Sequence, residues 1–329
     1  MAEFSAFTPI PGQHKDPSND WITHARVVAV VVTYHPEPGI LTRLVSAIEF
    51  QVTSIVLVCN SPVELPKAQG NSCCGRTIIR NQTNIGVAAA QNQGLRQCRL
   101  ERADFVLFLD QDSMPDTTFV ANLLVATKHL ADRGIAVSAV GPLLVDADDG
   151  TEWPYLSAAW FHTREETRPD INGVCRTDML YSSGSLVRLA HFSTVGYFME
   201  SLFVDHVDLE WCYRASRYGL HCFGIPSIRL RHRMGEGHVR FFGRLHSIHS
   251  ASRNYYAFRN TIILLGLGHI PARWKLNEII RLIPRCIFYG LIGKSLLPHL
   301  SNCLRGITDG ISYHVKQGKP SDFPHPPSP

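Results

Sequence analysis

Two carboxylates two residues apart, Asp110 and Asp112, follow the apolar run FVLFL at 105–109. In an open α/β sheet, ligands bind outside the carboxyl ends of the strands. Carboxylates that leave one strand together can hold a hard cation such as Mg²⁺ or Mn²⁺, which would bind a diphosphate through its oxygens. A lone pair of this kind also occurs in solvated turns, but its position directly after a buried strand favours a metal site.

A second acidic pair, Asp205 and Asp208, lies in the segment VDHVDLEW at 204–211. This spacing places both carboxylates on one face of a helix. A carboxylate held at a cleft is a candidate general base that activates a hydroxyl. The alternative interpretation is an ordinary first helical turn, where acidic side chains interact favourably with the helix dipole.

Two further segments carry candidate ligands. His232 ends a predicted short strand, RLRH, and its imidazole can complete a Mg²⁺ or Mn²⁺ shell or bind phosphate when protonated. Because the chain has 16 histidines, a structural role is the alternative. The segment NIGVAAAQN at 84–92 opens a predicted helix with small residues, which either allow close approach of a ligand or pack the helix tightly on the sheet. It is not G-x-G-x-x-G, and no G-x-x-x-x-G-K-[ST] loop occurs, so a nicotinamide dinucleotide site and a P-loop have little support.

Buried strands alternating with helices are predicted to position these residues. Continuous apolar runs are typical of strands buried on both faces, and helical spacing separates them. The pattern therefore predicts an α/β fold with a doubly wound, mostly parallel, Rossmann-like sheet. The predicted strands are 27–33, 54–59, 77–80, 104–109 and 135–140, followed by a strand-like 179–189 that is broken at Gly184 and by short strands at 220–225 and 228–232. The predicted helices are 40–50, 84–98, 117–131 and 204–218.

The domain organisation follows from composition along the chain. We expect a flexible arm at 1–24, a folded domain at 25–250, a basic amphipathic helical extension at 251–318 and a disordered Pro-rich tail at 319–329. The pattern becomes less regular beyond about residue 145, which divides the folded domain into halves at about 25–145 and 146–250.

Composition excludes several classes of protein. With 329 residues, of which 45% are hydrophobic and 18% charged, the chain is neither disordered nor collagen-like nor a coiled coil. Nine scattered cysteines without a C-x-x-C pair predict buried thiols in a reducing compartment, and no signal peptide or membrane span is evident, so we expect a cytoplasmic protein.

Charge is distributed unevenly along the chain. Residues 1–213 carry 15 basic and 24 acidic side chains, whereas 214–329 carry 17 and 4. Basic residues of the second part alternate with Ile and Leu rather than forming a polar stripe, which argues against nucleic-acid binding.

The segment 279–297 combines Arg281, Arg285 and Lys294 with apolar positions 280, 283, 287 and 291 at helical spacing, and Pro284 predicts a kink. A basic amphipathic helix lies in the headgroup plane of a membrane rather than spanning it. This predicts peripheral attachment to the inner face of the cell membrane. The alternative is a helix packed on the body of the protein or at a homo-oligomer interface.

An ordered set of motifs in this chain resembles the inverting, GT-A-fold glycosyltransferases of family 2, and most closely their bacterial rhamnosyltransferase branch. The resemblance covers roughly residues 27–262. The motifs are VVVTYHP at 30–36, VCNSP at 58–62, NIGVAAAQNQGL at 84–95, FLDQDS at 108–113, SSGSLVR at 182–188, FVDHVDLEWCYRASRYG at 203–219 and RNYYAFRN at 253–260.

The resemblance implies a role for each matching residue. Those implied to bind the donor are Thr33, Tyr34, His35, Asn60, Asn84, Gly86, Asp110 and Gly184. It implies that Asp110 and Asp112 bind the metal, with His232 as a further ligand of the metal or the diphosphate. Asp208 matches the family's general base. The family commonly has Glu before this Asp, and Val207 stands there instead, so Asp205 is the alternative participant.

The implied reaction is direct displacement at the anomeric carbon. Asp208 would deprotonate an acceptor hydroxyl, and Mg²⁺ or Mn²⁺ would stabilise the departing nucleoside diphosphate. The implied donor is dTDP-rhamnose, and the acceptor a glycan or a lipid-linked glycan in cell-surface polysaccharide synthesis. Transfer from a UDP-sugar and a non-catalytic sugar-nucleotide-binding role remain the alternatives.

Overall fold

The fold is taken from a computed structural model that describes residues 24–63, 73–171, 173–233, 238–241, 244–247, 251–292 and 296–317. The predicted N-terminal arm lies outside these residues except for its last residue, and the predicted tail at 319–329 lies wholly outside them. Lys294 also lies outside the described residues.

The first half of the chain forms the parallel part of the central sheet. Strand β1 pairs in parallel with β2 and β4, and β2 pairs in parallel with β3. The prediction matches β1 and β2 residue for residue, because each is a continuous apolar run that is buried along its length. These elements are β1 (Val27–Thr33), α1 (Pro38–Ile48), β2 (Ser54–Cys59), β3 (Gly75–Arg80), α2 (Gly86–Leu100), β4 (Phe105–Asp110) and α3 (Phe119–Asp132).

The second half completes the sheet, which has nine strands among the described residues. Strand β5 pairs in parallel with β11, whereas β10 is inserted antiparallel between β4 and β5, and β6 and β9 pair antiparallel with β5 and β11. The order along the main path is β3-β2-β1-β4-β10-β5-β11-β9. The new elements are β5 (Val137–Asp146), β6 (Glu152–Trp153), β7 (Tyr155–Ala159), β8 (His162–Glu166), β9 (Cys175–Thr177), β10 (Leu186–Arg188), α4 (His191–Thr194), α5 (Val207–Arg217) and β11 (His221–His232).

Two sequence predictions in this half were wrong. The two short strands predicted at 220–225 and 228–232 are one strand, β11, whose pairing with β5 shifts register between Ile225 and Arg229. The strand-like segment 179–189 forms a strand only at Leu186–Arg188. Gly184 precedes that strand with φ +82, a left-handed conformation that a residue within a strand does not adopt.

Helices cover both faces of the sheet, which confirms the doubly wound α/β prediction. On β1, Val28 and Val30 belong to one buried cluster, and Val27 and Val31 to the cluster on the opposite face. The alternation arises because successive side chains of a strand point to opposite faces. None of the nine cysteines, all of which lie within the described residues, is in a disulfide.

The C-terminal segment is packed onto the central sheet. Beyond two paired strands, β12 (His238–Phe241) and β13 (Arg244–Ser247), come the helices α6 (Ala251–Gly266), α7 (Ala272–Ile292) and α8 (Leu296–Gln317). Ile263 and Leu264 of α6 share a buried cluster with Val28 and Val30 of the sheet. Helix α7 is continuous through Pro284. Among the helices of the described residues, none has both the length and the apolar character needed to cross a membrane.

Candidate active site

A cleft of about 950 Å³ opens at the carboxyl ends of β1, β2, β4 and β11. One wall is the sheet edge with its loops, and the facing wall is formed by α6 and α7. The polar side chains that line the cleft include those of Tyr34, Asn60, Asn84, Asp110, Gln111, Asp112, Asp205, Asp208, His232, Arg253, Glu278, Arg281 and Arg285. Both predicted acidic pairs therefore face the same space.

The pair after β4 lies against the end of β11. Nε2 of His232 is 3.5 Å from Oδ2 of Asp110, and its Nδ1 is 3.1 Å from Oδ1 of Asp112. The loop after β4 is tied to β11 by a backbone hydrogen bond from Met114 N to Arg231 O of 2.9 Å. Because β11 runs parallel to β5 in the same sheet, its last residue reaches the edge where β4 ends.

Asp110, Asp112 and His232 interact electrostatically. Burial alone would lower the pKa of His232, but the carboxylates of Asp112 and Asp110 outweigh it and raise that pKa. Burial raises the pKa of Asp110, and His232 opposes this effect. Two carboxylates and an imidazole at this separation form an acidic recess that favours a cation.

The residues present fit a divalent cation that also binds substrate. Carboxylate oxygens and an imidazole nitrogen suit Mg²⁺ or Mn²⁺. Nδ1 of His232 is buried and makes no hydrogen bond of acceptable geometry with the described residues. As the side chains stand, no group of three or more His, Cys, Asp or Glu residues in the described part of the chain could hold a metal ion. An ion would take its other ligands from substrate phosphates and water, as Mg²⁺ commonly does.

Asp208 occupies the first turn of α5, with its side chain at the cleft. Its Oδ2 accepts a hydrogen bond from Ser182 N and its Oδ1 one from Leu209 N, each 3.0 Å long. Burial raises the pKa of Asp208 to about 6, although these backbone hydrogen bonds oppose the shift. A fixed carboxylate of raised pKa at a cleft has the properties of a general base that works near neutral pH.

Asp205, the alternative participant, has a different environment. Its Oδ1 accepts hydrogen bonds from Nε and Nη2 of Arg253 at 3.0 and 2.9 Å, and its Oδ2 is buried without a hydrogen-bond partner among the described residues. This ion pair engages Oδ1 of Asp205 with the Arg253 guanidinium, whereas the oxygens of Asp208 accept hydrogen bonds from backbone N–H groups. The geometry favours Asp208 of the two.

Four of the residues predicted to bind the donor, besides Asp110, line the cleft: Tyr34, Asn60, Asn84 and Gly86. Asn84 Oδ1 accepts a hydrogen bond of 2.9 Å from Gly86 N, and Asn60 Nδ2 donates to Gly86 O at 3.3 Å. Gly86 has φ +84, and a Cβ there would lie 2.5 Å from the ring of Phe203. The glycine is therefore required by both backbone conformation and packing.

The other three predicted donor-binding residues do not line the cleft. Thr33 is fully buried, because it is the last residue of the central strand β1. His35 is exposed with φ 47, and its backbone N–H donates to Ser61 Oγ at 2.7 Å. Gly184 is buried, and a Cβ there would meet Leu230 and Pro142 at 2.7 Å, so it is a packing glycine. Their assignment as donor-binding residues stays a prediction.

The wall formed by α6 and α7 was missed by sequence reasoning. Trp274, Glu278, Arg281 and Arg285 recur at spacings of four, three and four residues and present one face of α7 to the cleft. Arg285 donates to Glu278 Oε2 at 2.7 Å and to Thr261 Oγ1 at 2.9 Å, and Arg281 donates to Thr163 Oγ1 at 2.6 Å. The spacing shows that these four residues share one face of α7, but the sequence alone does not show that this face meets the cleft.

Arg281 and Arg285 therefore face the cleft. The outward face of α7 is instead apolar, with Ile279, Ile280, Ile283 and Ile287 exposed. Beside α7 lies the tip of the β7–β8 hairpin, whose two residues, Trp160 and Phe161, are 61% and 73% exposed. Asn277 of α7 donates to Ala159 O and His162 O on either side of this tip, at 2.7 and 2.8 Å.

Comparison with known proteins gives one family. Residues 29–192 match the model described as Glycosyl transferase family 2. The dTDP-rhamnosyl transferase RfbF of Shigella flexneri is 28% identical over 289 residues, which are 88% of this chain and 96% of that protein.

Solved structures with the same fold are similar over most of the chain. The S. aureus TarS 1-349 complex with UDP-GlcNAc has a TM-score of 0.55 at 14% identity, and covers 90% of this chain and 82% of its own. GalNAc-T7 with UDP, GalNAc and Mn²⁺ has a TM-score of 0.54 at 14% identity. The match covers 90% of this chain but only 58% of the GalNAc-T7 chain. These likenesses show the GT-A fold.

Proposed function

We propose that this chain, which carries a glycosyl transferase family 2 domain at residues 29–192, transfers a sugar from a nucleotide-sugar donor to an acceptor hydroxyl with inversion of configuration. The proposed donor is dTDP-rhamnose. It is supported by the name of the Shigella flexneri relative and by the extent of the likeness, which runs through 96% of that protein.

The observation that carries the proposal is the placement of Asp208, Asp110 and Asp112 on one cleft. Asp208 takes the proton of the acceptor hydroxyl, and the oxygen attacks the anomeric carbon on the side opposite the nucleoside diphosphate. A pKa of about 6 leaves Asp208 ionised at neutral pH yet more basic than an ordinary aspartate.

Asp110, Asp112 and His232 would hold Mg²⁺ or Mn²⁺, with Asp112 the most direct ligand. When bound, the cation supplies positive charge beside the departing diphosphate. Asn84 and Gly86, on the adjacent loop, would contact the ribose or the diphosphate. The proposal of metal dependence is supported by the donor set, two carboxylates that each lie within 3.5 Å of one imidazole at the sheet edge.

A panel of ligands tests the proposal. Thermal unfolding is measured with dTDP, UDP and GDP, each with and without Mg²⁺ or Mn²⁺, because a ligand that binds only the folded state raises the melting temperature. We expect the largest rise with dTDP plus cation. A larger rise with UDP would favour the alternative of a UDP-sugar donor. TarS, which has a similar fold, was solved in complex with UDP-GlcNAc. Binding without any transfer or donor hydrolysis would favour a non-catalytic protein.

We also propose peripheral attachment to a membrane through the outward face of α7 and the adjoining hairpin tip. Exposed isoleucines beside exposed Trp160 and Phe161 form a surface that suits the interfacial region of a bilayer. The 17 basic and 4 acidic residues of 214–329 favour anionic lipids. This placement would bring a lipid-linked acceptor to the cleft on the other face of α7.

Sedimentation with vesicles of phosphatidylglycerol and phosphatidylcholine tests this attachment. The double variant Ile283→Ser, Ile287→Ser should lose binding, whereas Leu100→Ser, at an exposed apolar residue of α2, should keep it. If the double variant instead changes only the oligomeric state in solution, the face is an interface between two copies of the chain and the membrane proposal is wrong.

A further inference from the structure

The loop that leads into α5 has an unusual backbone. Phe203, Asp205 and His206 have φ values of 65, 61 and 64, and none of them is glycine. Non-glycine residues in the left-handed region are strained and persist where the surrounding structure holds them. Three left-handed residues within a segment of four therefore require contacts from outside the loop to hold them.

Asn260 of α6 supplies that restraint. Its side chain is fully buried, and Nδ2 donates hydrogen bonds to Leu202 O, Val204 O and Asp205 O at 2.8, 2.7 and 2.9 Å. The three carbonyls belong to the residue before Phe203, to the residue between Phe203 and Asp205, and to Asp205 itself. One amide group thus holds the whole turn of the loop.

Arg259 fixes the orientation of this amide. Its Nε and Nη2 donate to Asn260 Oδ1 at 3.0 and 2.9 Å, so the oxygen of the amide faces the guanidinium and the NH₂ group must face the loop. Nη2 of Arg259 also donates to Ser201 O at 2.6 Å. The two neighbouring residues therefore act as one clamp on the loop.

The clamped loop connects both sides of the cleft. Phe203 O accepts a hydrogen bond of 3.3 Å from Ala88 N, and the ring of Phe203 packs on Gly86 at the sheet-edge side. At the other end, His206 is the residue before α5, and Asp208 follows in its first turn. Displacement of the loop would therefore move Asp208 relative to the loop that holds Gly86.

We infer that Asn260, oriented by Arg259, is a positioning residue that sets the distance between the Asp208 carboxylate and a donor bound beside Gly86. The catalytic part of this inference rests on the proposed function, because it takes Asp208 as the base. Asn260 itself touches neither reacting group.

A matched pair of variants on α6 tests the inference. Asn254 is also fully buried, but it lies 2.8 Å from His299 Nδ1 of α8, away from the loop. At a temperature where both variants are folded, Asn260→Ala should lower kcat at least tenfold, and Asn254→Ala should keep kcat within twofold of the wild type. Equal losses in the two variants would overturn the positioning role. If Asn260→Ala does not fold, Asn260→Ser, which keeps one donor, replaces it.

Hydrogen exchange gives a readout that does not depend on activity. Peptides covering 201–209 should exchange at least tenfold faster in Asn260→Ala than in Asn254→Ala. Exchange rates that are the same in both variants would refute the clamp, whatever the enzyme does. Faster exchange together with a wild-type chain that transfers no sugar would refute the proposed function and leave the clamp supported.

Discussion

At the sheet edge, Asp110, Asp112 and His232 follow or end strands whose backbone pairing fixes their positions. On the facing wall, Arg281 and Arg285 project from α7 and are held by side-chain contacts to Thr163, Glu278 and Thr261. Strand ends give a rigid anchor, which suits the proposed role of these groups in holding a small cation. A helix face instead presents a row of side chains that can be varied without altering the sheet, which suits recognition of an acceptor.

Asp208 lies between the two walls, and its loss should have the largest effect on activity. Asp208→Asn should lower kcat by about 10²–10⁴-fold, the usual contribution of a general base, while melting temperature and dTDP binding stay near wild type. Steady-state kinetics measure the change. Asp205→Asn is the companion variant, and a greater loss of kcat in that variant than in Asp208→Asn would reverse the assignment of the base.

The rigidity of the Asp208 helix depends on a buried ion pair. Arg214 donates to Glu210 Oε1 and Oε2 at 2.8 Å each and to the backbone of Val195 and Tyr197, and both charged side chains are fully buried. Glu210→Gln should lower the free energy of unfolding by about 3–5 kcal/mol, because it leaves a buried charge without its partner. Denaturant unfolding measures this. Asp132→Asn, which breaks the exposed i,i+4 pair with Lys128, should cost about 1 kcal/mol or less.

The same pair predicts a pH dependence of stability. Burial would raise the pKa of Glu210, but Arg214 and His269 lower it below its ordinary value of 4.5. Its contribution is therefore complete above that value and is lost as the pH falls through the lower pKa of the folded state. Melting temperature should fall less between pH 5 and pH 3 in Glu210→Gln than in the wild type. The difference corresponds to the loss of stability on protonation of one carboxylate. Parallel curves for the two proteins would contradict the assignment.

Loss of a sheet-edge ligand should affect the donor rather than the acceptor. Asp112→Ala should weaken metal-dependent dTDP binding by at least about 10–100-fold, the range seen when even an outer partner of a metal ligand is removed. Calorimetry with and without Mg²⁺ measures this. Asp116→Ala, in the same loop but outside the cleft lining, should leave dTDP affinity unchanged.

A substitution on the α7 wall should have a smaller effect on activity than the substitutions at the sheet edge, and it should weaken binding of the acceptor. Arg281→Ala should raise the acceptor KM about tenfold, since it removes charge-assisted hydrogen bonds, and should leave the donor KM unchanged. Arg305→Ala on α8, outside the cleft lining, is the control. A rise in the donor KM instead would mean that the two walls are not specialised in this way.

The sheet could be predicted from sequence because hydrophobic burial acts locally and periodically. The runs that form β1 and β2 are apolar except for Thr33 and Ser54 at their ends, and both lie inside the sheet between β3 and β4. Asp110 and Asp112 were predicted at the carboxyl end of a buried strand, and the family resemblance added His232. Thr33 is buried, whereas its neighbour Tyr34 is exposed and lines the cleft, a one-residue distinction that depends on the turn after β1.

The helical wall could not be predicted because it depends on the path of the chain after β11. The amphipathic pattern of α7 does not determine its orientation, because either its basic or its apolar side can face the protein. Tertiary contacts decide this, with Asn277 and Arg281 attached to the β7–β8 hairpin, whose strands the sequence pattern did not reveal. The clamp at Asn260 could not be predicted either, because the residues of 203–206 with positive φ are not glycines and the sequence therefore does not mark the strained turn.

The antiparallel insertion of β10 has a consequence for synthesis of the chain. Strands β4 and β5 are not paired with each other, and Leu186–Arg188 joins them about 40 residues after β5 ends. During translation, the emerging sheet therefore exposes an unpaired edge of β4 until that short strand leaves the ribosome. Such edges are templates for aggregation. Fragments that end before residue 186 should accumulate as inclusion bodies, and those that extend past β11 should be recovered in folded form.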